Sequence, residues 1–69
     1  MNKYIIPVCN IQESKVYNAI IIAHSSSACQ DKLMDMFSKY SDKDNYRDFV
    51  KDLDEQDILI GKITDVEEL

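Results

Sequence analysis

The chain is poor in the residues that build catalytic and cofactor sites. It has one glycine, one histidine, two cysteines and no tryptophan among 69 residues. His24 stands beside Ser25, Ser26 and Ser27, a juxtaposition that invites a nucleophile–base reading. Adjacency in sequence is not triad geometry, and no glycine-rich elbow or oxyanion loop accompanies it; a serine run before a helix is more simply a cap. Cys9, His24 and Cys29 are the only good soft ligands for zinc, with neither a C-x-x-C nor an H-x₃-H spacing, whereas a structural zinc takes four. Cys29 is placed in a first helical turn, where capping and packing explain it without reactivity. A calcium loop starting at Asp42 needs glycine at its sixth position and glutamate at its twelfth; this chain has Arg47 and Leu53 there. The expectation is a protein that is not an enzyme and uses no metal and no cofactor.

Long apolar runs are missing too. No stretch approaches the roughly 18 residues of a membrane span, and "MNKYIIPVCN" lacks the apolar core and small-residue cleavage site of a signal peptide. With at most one disulfide available, the reading is a cytoplasmic protein with reduced thiols. Residues 1–69 make a single domain close to the lower size limit for folding without staples, so oligomerisation or a partner is the remaining support. The abundance of Ile, Lys, Asn, Asp and Tyr fits an AT-rich genome.

Negative charge is plentiful but uneven. The formal net charge is −5. Residues 1–41 hold three acids against four bases, while residues 42–69 hold ten acids against four bases, a local net charge of −6. Such a surface repels phosphate backbones, which argues against direct nucleic-acid binding, and attracts basic ones. The acids that stand out are Asp48, Asp52, Asp54, Glu55 and Asp57, followed by Asp65, Glu67 and Glu68. Lys43, Arg47 and Lys51 are interspersed at helical spacing, so ordinary i,i+4 pairing on a solvated face is the plainer explanation.

Periodicity gives the order ββααβ. "KYIIPVCNI" (3–11) and "VYNAIIIAH" (16–24) are β-rich runs joined by "QESK", a hairpin in which Ile11 faces Val16. A helix over 28–40 carries Leu33, Met36, Phe37 and Tyr40 at the spacing of one apolar stripe, with Ser27 and Gln30 as its capping box. A second helix carries Tyr46, Phe49, Val50 and Leu53, capped by Asp44 or Asn45. A third strand over 57–63 bends at Gly61, and "TDVEEL" extends or frays from it. Pro7 lacks a ladder donor, which points to an edge position for the first strand. The second strand, apolar on both faces, reads as the centre. The expected fold is α+β: a three-stranded antiparallel sheet in the order 1-2-3, the last two strands antiparallel, with two antiparallel helices packed on one face.

Two short helices cover only one face of such a sheet. Small Ala19 and Ala23 let helices approach, so the helices belong on the face with Tyr4, Ile6, Val8 and Ile21. The other face exposes Ile5, Ile11, Val16, Ile20 and Ile22, an apolar patch of the kind that marks an interface. Two functions follow. One is an inhibitor of the phage or mobile-element type, a nucleic-acid mimic that docks its acidic half on the basic, nucleic-acid-binding surface of a larger protein. The other is a structural or regulatory homodimer, antitoxin-like, assembled through the open sheet face.

Overall fold

The computed structural model describes residues 1–69. It is a mixed α+β fold whose elements are β1 (Asn2–Asn10), β2 (Lys15–Ala23), α1 (Ser26–Met36), α2 (Tyr46–Glu55), β3 (Ile58–Ile60) and β4 (Thr64–Glu68). All strand pairs are antiparallel. The helices cover one face, α1 mainly over β2 and α2 over β3. Tyr4, Ile6, Val8, Ala19, Ile21 and Ala23 are buried against Cys29, Leu33, Phe37, Phe49 and Leu53. The alanine face is therefore the covered one, as the small side chains require.

The strand order is β2-β1-β3, with β4 also on β1; this corrects the expected order 1-2-3. Strand β1, not β2, is central, and β2 is an edge. Along its other side, β1 pairs first with β3 at Val8–Asn10 and then with β4 at Asn2–Ile5. Residues 61–63 form the break between them. Pro7 lies opposite that break. Its carbonyl accepts from Gly61 N at 2.8 Å, and the N–H it lacks would point to the same side, where no strand continues. A proline in a central strand is thus tolerated because its neighbour is interrupted beside it. The single bent third strand expected from Gly61 is two strands for the same reason.

The helices explain why β3 sits beside β1. Tyr46, at the start of α2, lies near Cys29 in the first half of α1. Gln56, at the other end of α2, donates from Nε2 to Tyr40 O at 2.7 Å, just beyond the end of α1. The two helices therefore run in the same direction, not antiparallel as expected. Residues 41–45 carry the chain back; five extended residues span about 16 Å, matching the roughly 15 Å of a ten-residue helix. The chain then emerges at the β1–β2 turn, where Gln12 Nε2 donates to Gln56 O at 2.7 Å and Ile11 N to Asp57 O at 2.8 Å. From there β3 runs antiparallel to β1, hence parallel to β2, correcting the antiparallel relation expected between those two.

Local signals are otherwise close to their expected places. The hairpin pairs Cys9 with Val16 and Asn10 with Lys15, two residues from the expected Ile11–Val16 pairing. That even shift preserves both faces, and Ile11 falls in the turn. Ser25, not Ser27, caps α1, accepting from Ala28 N at 3.1 Å. Of the two expected caps, Asp44 and Asn45, it is Asn45 that caps α2, accepting from Asp48 N at 3.2 Å. Helix α1 stops at Met36, which is exposed, so its buried stripe is Cys29 and Leu33 with Phe37 as C-cap. Asp57 adopts φ 63° after the C-cap of α2, a left-handed corner that aspartate tolerates, and β3 starts one residue later.

The hairpin turn is tied by side chains. Asn10 is buried, accepts from Glu13 N at 3.1 Å and donates to Glu13 Oε2 at 3.2 Å. Tyr40 Oη donates to the same carboxylate at 2.8 Å. This hydrogen bond, then the Lys15 charge, holds Glu13 below the usual glutamate pKa. A depressed carboxylate stabilises the fold above its unfolded pKa, and that contribution is lost as pH falls through the lower folded value. NMR titration should show Glu13 titrating below the ordinary glutamates, and Tyr40→Phe should move it up towards them.

At Gly61 an added Cβ would lie 3.0–3.2 Å from three atoms of the Pro7 ring. Gly61→Ala should therefore lower stability by about 1–3 kcal/mol, the usual cost of overpacking, read as a reduced denaturant midpoint; an unchanged or raised midpoint would show that the ring yields.

Candidate functional site

Two surfaces gather the residues singled out in the sequence. The first is the uncovered sheet face. Strand alternation puts Ile5, Pro7 and Cys9 of β1 on it, with Val16, Asn18, Ile20 and Ile22 of β2 and Leu59 of β3. Val16 is 81% exposed and Ile20 59%, while Ile5 and Cys9 are partly shielded. Ile11 is 53% exposed in the turn beyond the ladder, not on the strand. Towards β3 the face sinks into a shallow apolar depression lined by Pro7, Cys9, Val16, Leu59 and Gly61. Leu59 lay inside a run read as strand, but only the pairing of Cys9 with Leu59 places it here.

The second surface is the flank formed by α2 and β4. Helix α2 packs on β3, and β3 and β4 share one side of β1, so both acid-bearing segments lie across β1 from β2. Asp48, Asp52 and Glu55 line one shallow cleft with Lys43 and Lys51. Asp54 lines a neighbouring one with Arg47, Val50, Lys51, Leu59 and Ile60. Asp57 sits at the corner after α2. On β4, Asp65 Oδ2 accepts from Asn2 Nδ2 at 2.7 Å, Glu67 lies 4.0 Å from Lys3 Nζ, and Glu68 pairs with Asn2 in the ladder. Of the ten carboxylates after residue 41, only Glu67 has a cationic nitrogen within 4.0 Å. The i,i+4 pairing suggested by Lys43, Arg47 and Lys51 does not close into ion pairs.

The soft ligands are separated by the sheet. Cys9 is on the open face, whereas Cys29 is buried beneath the helices, and both are free thiols. No three histidine, cysteine or acidic side chains converge as a metal would need. Ser25 is occupied as a helix cap. Burial raises the Cys29 thiol pKa, opposed more weakly by the Lys32 charge. No helix is long and apolar enough to cross a membrane. No protein-family model, curated protein or solved structure matches the chain.

A buried, protonated thiol and a surface one should differ in alkylation. Iodoacetamide should label Cys9 in the native protein and reach Cys29 only after denaturation, as mass mapping will read; native labelling of Cys29 would show that the core opens locally.

Proposed function

We propose that this chain is a non-catalytic protein-binding protein that occupies the basic, nucleic-acid-binding surface of a larger protein. The observation that carries this reading is the acidic flank: the carboxylates of α2 and β4, all but Glu67 without an ion-pair partner, beside an uncovered apolar sheet face. Unpaired exposed carboxylates keep their field available to a partner, and a cationic groove would be steered towards them. The apolar face beside them supplies the contact area that charge alone lacks, in the arrangement of an apolar centre with a polar rim. Competition with phosphates then blocks the partner. This is the behaviour of an inhibitor of the phage or mobile-element type. Its two free thiols accord with work in the reducing cytoplasm.

The test is affinity capture on the immobilised chain at low and high salt. The expected result is retention of basic proteins, release by salt and by duplex DNA, and loss of capture with Asp52→Lys, Asp54→Lys and Glu55→Lys combined. Capture that survives this reversal, or that ignores competitor DNA, would end the charge-mimicry reading. A homodimeric accessory role, of the antitoxin-like kind, is favoured by a different observation, the free edge of β2.

A further inference from the structure

We propose that a second copy of this chain pairs antiparallel along the outer edge of β2, joining two four-stranded sheets into one. The backbone geometry identifies the edge. Pro7 O faces β3, so the odd-numbered residues of β1 point their hydrogen-bonding groups that way and the even-numbered ones point to β2. Ala19, partner of Ile6, and Ile21, partner of Tyr4, therefore face β1. Val16, Asn18, Ile20 and Ile22 direct their N–H and C=O groups outwards, away from any strand. Between Lys15 and His24 this edge carries no charge, proline or glycine, the devices that ordinarily guard an edge strand. The same four residues place their side chains on the open face, so backbone and side chains present one surface.

Charge placement selects a second copy as the occupant. Two molecules each of net charge −5 repel unless they meet on their least acidic side. Strands β1 and β2 and helix α1 lie within residues 1–41, whose four bases outnumber three acids, while the acidic flank lies across β1 on the far edge. An antiparallel edge is also self-complementary, which a two-fold dimer requires.

The register follows from what is already satisfied. Ile22 O accepts from Lys32 Nζ at 2.5 Å, which closes that end of the edge. Pairing centred on Asn18 leaves this bond intact, sets Asn18 opposite Asn18 of the second copy and sets Val16 opposite Ile20. Val16 and Ile20 of each copy then meet across the seam, and the outward groups of Val16, Asn18 and Ile20 are all paired. The two open faces merge into one apolar surface bounded at both ends by the acidic flanks. The pairing is independent of the docking proposed above.

Sedimentation of the full chain should give twice the 8.0 kDa chain mass, with the amides of Val16, Asn18 and Ile20 protected from hydrogen exchange. Ile20→Lys, at an exposed site, should give a folded monomer with those amides unprotected. In a Cys9→Ser chain, Asn18→Cys should form an intermolecular disulfide, since facing residues at such a position stand about 5.5 Å apart, within disulfide range. Leu59→Cys in the same chain, on the same face but the other edge, should not. A wild-type monomer at millimolar concentration, or a dimer that links through Leu59→Cys but not Asn18→Cys, would overturn the proposal. The acidic triple reversal should leave the dimer intact, so failure of the docking reading and failure of this one are separable.

Discussion

Strand β1 carries the architecture. It is the only strand bonded on both sides, and it holds a proline in its middle. A central strand must find partners for its backbone groups in two directions, and Pro7 can meet that demand on one side only through its carbonyl. Splitting the opposing strand into β3 and β4 resolves the conflict: Gly61 donates to Pro7 O, brings its backbone close to the ring, and the chain leaves the ladder where no donor awaits it. β4 then rejoins β1 beyond the proline. The acidic C-terminal segment is thus placed by the proline gap, since without rejoining the ladder it would have no reason to lie along this edge.

The core depends on the same placement. With β1 central, Tyr4, Ile6 and Val8 form the floor on which both helices sit, and Ala19 and Ala23 on β2 give α1 its close approach. Phe49 and Leu53 of α2 reach over β3, where Ile58 is fully buried. The parallel sense of the helices brings Tyr40, Glu13, Gln56 and Gln12 together at the hairpin turn, a cluster of polar contacts that ties the end of each helix to the sheet. One set of side chains closes the fold at the point where α2 hands over to β3.

The topology sorts the molecular surface by edge. Placing β3 and β4 beside β1 sends the carboxylates of α2 and β4 to one side and leaves β2 bare on the other. Had β2 been central, its isoleucines would have lost their free backbone groups and the acidic segment would have lain next to them. The observed order separates a charged flank from an uncharged edge, so the proposed docking surface and the proposed self-pairing edge do not interfere electrostatically.

Legible in the chain alone were the α+β class, the hairpin, both helices, a cap for α2 at Asp44 or Asn45, and the division of β1 and β2 into a covered and an open face. These depend on side-chain period and local capping, which neighbouring residues specify. Even a two-residue error in the hairpin register left the faces unchanged, because side chains alternate with period two. The tertiary structure alone decided that β1 is central, that β3 and β4 are separate, and that Leu59 joins the open face. Pro7 pointed to an edge because its missing donor is a local fact, while the gap that excuses it lies more than fifty residues away in the chain. The direction of α2 was hidden for a related reason: residues 41–45 are polar and irregular, and whether they turn tightly or run back along a helix depends on where Tyr46 and Gln56 find their partners. The acids were legible one by one, but the placement of α2 and β4 across β1 from β2 follows from strand order, which no local pattern encodes.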